Sequence, residues 1–439
     1  MSKQLVVLGA GESGASAARL GQRAGYAVFV SDGGPGSPAY LEELRTAGIE
    51  VETGGHTESR ILQADVVVKS PGIPDTAAIV RAVAEAGILI VSEIEFAYRY
   101  VPRAATLVGI TGSNGKTTTT MLTHHLLHTA GERVLAGGNL GESFARLLLD
   151  HDPADIYVLE LSSFQLDGTV DFRPAIATVL NITPDHLDRY DYRLERYADS
   201  KLRIGRQQRS EDHLLLLDDR DTIAPALRRN PSRADITWMQ PDDQIAGSRI
   251  TVGGQSYELG QTALRGRHNA MNALFAVRIA QLLGVSEEAI RAGLANFVPA
   301  PHRMEVIPTT DGRTWINDSK ATNVDSAYFA LEAMDGPTVW IAGGTDKGND
   351  YGPLRAVMGD KVHTLICLGV DNEKLKEAFG DLPRVEECRS AAEAVARAAA
   401  HAAAGDRILL SPACASFDLF KNYMDRGDQF RASVKSRFA

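Results

Sequence analysis

The sequence predicts an α/β protein of three domains: a Rossmann-like parallel sheet, a central P-loop ATPase-type domain and a C-terminal Rossmann-like domain. Three observations predict it. Apolar strand runs feed glycine-rich turns that open helices at residues 5–21 and again at 106–120. Strand and helix patterns alternate through the last third, as in an open parallel sheet. Proline marks breaks near residues 102 and 299–301, so the domains are expected at 1–98, 99–299 and 300–439.

Composition fits this organisation. A chain of 439 residues exceeds what one core organises. Its 44% hydrophobic and 23% charged residues are those of a globular protein. The net charge of −10 argues against nucleic acid as a partner. No apolar stretch approaches membrane-spanning length, so no membrane association is expected. Cys367, Cys388 and Cys414 are widely spaced and form no CxxC pair, as in a reducing compartment. The first residues enter a strand with no signal-peptide pattern, which makes the cytoplasm the expected location. A monomer is expected.

In the first domain, residues 5–8 read as a buried strand. GAGESG (9–14), a small-residue helix over 15–21 and a strand over 28–30 ending at Asp32 follow. This is the dinucleotide-type fingerprint, in which glycines admit a pyrophosphate to a helix N-terminus and the acid takes a ribose or base. NAD, FAD or a nucleoside diphosphate sugar all fit. Strand 64–68 leads into Ser70-Pro71-Gly72, and strand 87–91 precedes the acidic stretch 92–95.

The central domain opens on TLVGITGSNGKTTTT, residues 106–120. Gly112, Ser113, Asn114 and Gly115 would turn their amides on phosphates, with Thr118 in the same helical turn. Lys116 would reach the terminal phosphates and the Thr117 hydroxyl a Mg²⁺ ion. Ile110 stands where the common form of this loop has its first glycine. Strand 156–159 ends in Glu160, placed to ligate Mg²⁺, and strand 175–180 leads to a turn presenting His186. A helical pattern over 193–209 carries Lys201, which on local grounds is a surface lysine. Residues 236–259 read as β-rich, and Asn269 and Asn272 share one face of the next helix.

In the last third, strands over 314–316, 339–342, 364–368 and 407–410 are expected in a parallel sheet. Lys320 with Thr322, Lys347 and Ser416 follow three of these strands and suit a small dicarboxylate or a phosphate.

GITGSNGKTTTT, LELSSFQL, NITPDHLDRY, GRHNAMNAL, PHRMEV, INDSKATN, GGTDKG and LSPACASFD occur in this order. Through them the whole chain resembles the Mur ligase family, and LSSFQL, NDSKATN and SPACASFD resemble the member that adds D-glutamate. The resemblance implies an ATP-dependent amide ligase acting on UDP-N-acetylmuramoyl-L-alanine and D-glutamate through an acyl phosphate, in peptidoglycan precursor synthesis. It implies two Mg²⁺ sites, in which Mn²⁺ could substitute, with Thr117, Glu160, His186 and a carbamylated Lys201 as ligands. It assigns Asn272, Arg303 and Asp318 to adenine, phosphate and ribose. Gly11, Glu12, Ser13, Asp32, Ser70, Pro71, Gly72, Asn139, Ser162 and Gln165 would serve the UDP-substrate; Thr322, Lys347, Ser416 and Tyr423 would serve D-glutamate. The chain departs from its relatives at Gly33–Gly36, where they carry hydroxyl and basic residues, and at Tyr423, where a phenylalanine is usual. Other readings are a family member adding a different amino acid, a folate polyglutamate synthase, and a dinucleotide-binding oxidoreductase or regulator. The last leaves Lys116, Glu160 and the final third without a role.

Overall fold

The structure, a computed structural model, describes residues 2–264, 266–346 and 348–438. The chain divides into two compact units. The first comprises Met1–Ala246, Ile250–Tyr257 and Asn272–Ala295. The second comprises Gly247–Arg249, Glu258–Met271 and Asn296–Ala439.

The first unit holds two parallel sheets. The N-terminal one consists of β1 (Gln4–Leu8), β2 (Ala27–Asp32), β3 (Glu50–Thr53), β4 (Val66–Lys69) and β5 (Leu89–Val91), in the order β3-β2-β1-β4-β5. Leu5, Val7, Val30 and Val67 are fully buried, as strands covered on both faces require. The helix Glu12–Arg23 lies close on β1 because its buried face is Ala15, Ala17 and Ala18. A Cβ at Gly14 would stand 2.0 Å from the Gly9 carbonyl oxygen, which explains the third glycine of GAGESG.

The central sheet consists of β6 (Thr106–Thr111), β7 (Val134–Gly138), β8 (Ile156–Glu160), β9 (Ile176–Val179), β10 (His213–Leu217) and β11 (Asp235–Met239). Its order is β11-β10-β9-β6-β8-β7. β6 therefore sits between β8 and β9, and the glycine loop after β6 opens between the ends of the strands that carry Glu160 and lead to His186. The expected helix over 193–209 is shorter: Leu194–Leu202, then a 3₁₀ turn, Arg203–Gly205. The chain bends there because Gly205 runs close under Leu214 and because Gln208 donates to the Pro174 and His213 carbonyls. The β-rich stretch contains a helical turn, Pro241–Gln244, with proline at its start, and the short strands β12 (Ile245–Ala246), β13 (Arg249–Val252) and β14 (Gln255–Glu258).

Carboxylates join the two sheets of this unit. Glu95 Oε2 accepts the backbone N–H groups of Val170, Asp171 and Phe172 at 2.9, 3.0 and 2.9 Å. Glu93 accepts from Ala145 N, while its second oxygen is buried with no hydrogen-bond partner. The acidic stretch at 92–95 is thus interior.

The second unit contains β15 (Glu305–Ile307), β16 (Thr314–Asn317), β17 (Thr338–Ala342), β18 (Val362–Leu368), β19 (Val385–Cys388) and β20 (Arg407–Leu410). Their order is β15-β16-β20-β17-β18-β19. The sheet is mixed rather than all parallel, because β15 runs antiparallel to β16. Only residues 308–313 join these strands, too few for the crossover that a parallel pair needs. The turn is built by Asp311, which accepts from Thr309 Oγ1 at 2.9 Å, and by Gly312 at φ +75°. Cys367, Cys388 and Cys414 are buried thiols, and burial pushes Cys367 and Cys388 up to about 12. They are inert packing groups.

Burial raises Glu93 to about 8, against about 4.5 for an exposed glutamate. A carboxyl raised in the folded state contributes most below its unfolded value, and that contribution is lost as pH rises through the folded one. The Glu93→Gln variant should therefore gain stability over the parent between about pH 4.5 and 8, the difference levelling off above. Urea denaturation across this range measures it, and a difference independent of pH contradicts the assignment.

Candidate active site

The loop after β6 is shaped by two left-handed glycines, Gly112 at φ +154° and Gly115 at +83°. A Cβ on Gly115 would stand 2.2 Å from Asn272 Oδ1, so only glycine fits. Across the loop, Asn114 N donates to Asn181 Oδ1 at 2.8 Å and Ser113 N to the Asn181 carbonyl at 2.9 Å. Ser113 Oγ donates to the Thr183 carbonyl at 3.0 Å. The turn is held from outside, and Thr117 and Thr118 open the helix Lys116–Thr129, whose N-terminus attracts anions.

Lys116 Nζ donates to the carbonyls of Gly112 and Ser113, both at 2.8 Å. Lys201 Nζ donates to the same Gly112 oxygen at 2.8 Å and lies 4.4 Å from the centre of the Tyr197 ring. Lys201 is no surface lysine: it is 1% exposed. Burial, then the neighbouring charge of Lys116, holds its amine well below the usual lysine value. An uncharged amine is a nucleophile, which an exposed ammonium is not.

Glu160 is buried at the end of β8. Its Oε1 accepts from Asn139 Nδ2 at 2.8 Å, and its Oε2 has no hydrogen-bond partner. Asn139 is fixed by its own N–H, which donates to the Glu160 carbonyl at 2.8 Å. A buried carboxylate oxygen left over in this way suits a divalent cation. His186 is exposed in a left-handed conformation, φ +53°, with Nε2 3.6 Å from Asp185 Oδ2. Its ring centre lies 5.2 Å from that of Phe164. Among the described residues no group of three or more His, Cys, Asp or Glu side chains is assembled for a metal. A cation here would draw on Glu160, hydroxyls and its ligand's own oxygens. Ser162 and Gln165 form a capping box that starts the helix Ser163–Asp167.

In the N-terminal sheet a cavity of about 440 Å³ opens at the ends of β1, β2 and β4. Gly11, Ser13, Asp32, Ser70, Pro71 and Gly72, all expected from sequence, line it together with Gly33, Gly34 and His56. Asp32 accepts from Ala10 N at 2.6 Å and Gly34 N at 2.8 Å, tying the two glycine turns together. Glu12 is placed differently. It does not line the cavity; its carboxylate accepts from Ser143 N and Arg146 Nε, both at 3.1 Å, and so joins the two sheets. Arg189 reaches back from the central segment, its guanidinium 3.5 Å from the Pro71 carbonyl and 4.3 Å from the Phe164 ring centre.

In the second unit, Asp318 directly follows the strand β16. Burial raises its carboxyl to about 7 despite hydrogen bonds from Ser411 Oγ at 3.0 Å and Met304 N at 3.2 Å. Arg303 is half-buried between His302 and Met304, both left-handed at φ +64° and +49°. Thr322 is half-buried and Ser416 buried, on the loops after β16 and β20. Lys320 Nζ lies 4.0 Å from the centre of the Tyr423 ring. Lys347 lies outside the described residues.

Arg426, which carries no motif signal, ties these loops together. Its guanidinium donates to Ser319 Oγ at 3.0 Å, the Ser319 carbonyl at 2.9 Å, the Cys414 carbonyl at 3.3 Å and the Gly343 carbonyl at 3.4 Å. Burial pulls it down to about 10, so it is a cation at neutral pH. Arg189, His56 and Arg426 were not legible in the sequence, since each works through partners far along the chain.

A glycine loop on one parallel sheet, a glycine-lined cavity on the sheet before it and a mixed sheet after it make a three-domain α/β fold, and the chain belongs to the Mur ligase family. Residues 3–92 match the family's MurD-like N-terminal domain, 110–280 its middle domain and 302–414 its glutamate ligase domain. The chain is 46% identical to a UDP-N-acetylmuramoylalanine–D-glutamate ligase of Christiangramia forsetii, over 99% of this chain and 100% of that one. A ligase of the same name from Porphyromonas gingivalis is 48% identical over 98% of both. The fold is that of the UDP-N-acetylmuramate–alanine ligase MurC of Thermotoga maritima, with a TM-score of 0.61, 16% identity and 99% of both chains covered.

Replacing Gly115 with alanine forces a Cβ into Asn272 at a left-handed position. The variant should lose roughly 1–3 kcal/mol of stability and at least about tenfold in ATP affinity. Calorimetric titration and thermal melting measure both; unchanged ATP affinity would detach the loop from the nucleotide.

Proposed function

We propose that the chain joins the amine of D-glutamate to the L-alanyl carboxylate of UDP-N-acetylmuramoyl-L-alanine at the expense of ATP, as a step of peptidoglycan precursor synthesis. The observation that carries this reading is the match to D-glutamate ligases along the full length of both chains. The residue positions described above support it. Three working regions, 1–98, 99–299 and 300–439, would hold the UDP-substrate, ATP and D-glutamate respectively.

The alanyl carboxylate attacks the γ-phosphorus of ATP, the bond to the β,γ-bridging oxygen breaks, and ADP leaves. The amine of D-glutamate, having given up its proton, then attacks the acyl carbon, and phosphate departs from the tetrahedral intermediate. Positioning and charge stabilisation dominate such transfers. Lys116 would exchange its two loop carbonyls for β- and γ-phosphate oxygens, and the amides of Gly112–Thr118 would hold the same group. Asn272, Arg303 and Asp318 would bind adenine, phosphate and ribose. Asn139, Ser162 and Gln165 would contact the muramoyl-alanine part, and Thr322, Lys347, Ser416 and Tyr423 the D-glutamate.

Thr117 and Glu160 would hold one Mg²⁺, and His186 with a carbamylated Lys201 a second, with Mn²⁺ as a substitute. Such a cation supplies positive charge against the transferring phosphoryl oxygens. The buried Lys201 amine is suited to carbamylation: its lone pair adds to the carbon of CO₂ and a proton leaves. The product is an anion where an ammonium would crowd Lys116.

Purified protein given ATP, Mg²⁺ and UDP-N-acetylmuramoyl-L-alanine should release phosphate with D-glutamate and not with L-glutamate, L-lysine or meso-diaminopimelate. Release with either of the last two alone sinks the reading. Lys201→Ala should lose at least about a hundredfold in rate and recover part with added acetate or formate. A ¹³C-carbamate resonance in protein equilibrated with ¹³CO₂ checks the modification directly, and its absence with no rescue removes it.

A further inference from the structure

One side chain in the N-terminal cavity has its hydrogen-bonding polarity fixed from behind. His56 Nδ1 lies 2.7 Å from Ser31 Oγ, and Ser31 Oγ lies 2.6 Å from Glu52 Oε1. Glu52 also accepts from Thr57 N at 2.9 Å and Thr57 Oγ1 at 2.6 Å. Burial alone would raise Glu52, but the hydrogen bonds from Ser31 and Thr57 hold it below the usual carboxylate range, so it is ionised and only accepts. The single Ser31 hydroxyl proton therefore goes to Glu52, and Ser31 can only accept from the ring. That places the ring proton of neutral His56 on Nδ1 and leaves Nε2 as a bare acceptor.

His56 lines the cavity beside Gly33, and Nε2 is its ring atom nearest that glycine. A Cβ built on Gly33 would stand 3.0 Å from Nε2, so any side chain there would crowd this nitrogen; the bare backbone at Gly33 keeps it accessible. Gly33 follows Asp32, the acid at the end of β2 that takes ribose hydroxyls in folds of this type. A nucleotide with its diphosphate at Gly11 and its ribose at Asp32 carries its base onward, toward Gly33 and His56. Ser70, on the opposite wall, has a buried hydroxyl with no partner, a further polar group awaiting a ligand.

We propose that His56 is a specificity-determining residue for the uracil base of the nucleotide, its Nε2 accepting the imide N3–H under the control of the Glu52–Ser31–His56 chain. Uracil presents acceptor, donor, acceptor along this edge, and cytosine presents a lone pair at N3, which would oppose Nε2. Ser31 is a positioning residue that acts through the ring. The inference rests on the proposed function in placing a uridine nucleotide in this cavity.

The test is calorimetric titration of the full chain with UDP and with CDP. The parent should prefer UDP. His56→Ala should weaken UDP about tenfold, leave CDP nearly unchanged and so collapse the ratio, with ATP affinity and melting temperature unaltered. Ser31→Ala should narrow the ratio by a smaller factor. UDP and CDP weakened equally, or UDP unaffected, overturns the role of His56. No UDP binding by the parent overturns the placement of the nucleotide itself. Should His56→Ala melt early, imidazole ¹⁵N spectra of the unaltered chain decide. A ring protonated on Nδ1 whose Nε2 resonance moves on adding UDP supports the proposal, and one protonated on Nε2 overturns it.

Discussion

Lys116 and Lys201 both donate to the carbonyl oxygen of Gly112, and the chemistry of the central sheet follows from that crowding. Two unit charges about 4 Å apart repel by roughly 4 kcal/mol at a protein-like dielectric. Burial, then the neighbouring Lys116, holds the Lys201 amine well below the usual lysine value, while Lys116 lies at the start of the helix Lys116–Thr129. Close by in the same sheet, Glu160 is buried with one oxygen satisfied by Asn139 and one unsatisfied. Two buried or half-buried amines on one carbonyl and a carboxylate with one unpartnered oxygen thus lie at the ends of neighbouring strands of one sheet.

That set is held by strand order. Because β6 lies between β8 and β9, the loop, Glu160 and the turn before His186 must emerge at one edge of the sheet. The neighbouring sheet is fastened to this frame by Glu12, Glu93 and Glu95, each aimed at backbone N–H groups of the central segment. Glu95 takes three backbone amides on one oxygen.

The parts legible in the sequence are those whose geometry is local. The loop at 112–118 and the cavity residues Gly11, Ser13, Asp32 and Ser70–Gly72 sit on contiguous strand–turn–helix units, so spacing alone placed them. Glu12 belongs to the same motif, yet its carboxylate turns to Ser143 and Arg146, more than a hundred residues away, which no local pattern encodes. Lys201 read as a surface residue because burial is a property of the assembled sheet; only the family resemblance marked it. The antiparallel β15 was hidden by its length of three residues. His56 and Arg426 have no motif at all, and each becomes visible only when Ser31 or Ser319 is brought beside it.

The arrangement around Arg426 has a consequence for how the second unit comes together during synthesis. The loops after β16, β17 and β20 are cross-tied by a guanidinium on the helix Tyr423–Phe438, which leaves the ribosome after every strand of that sheet. The strands can pair before this helix docks, but the polar loops at their ends then lack their shared donor. The strands can therefore pair before the loops at their ends are cross-tied. The three loops share this donor, since one buried guanidinium serves them all.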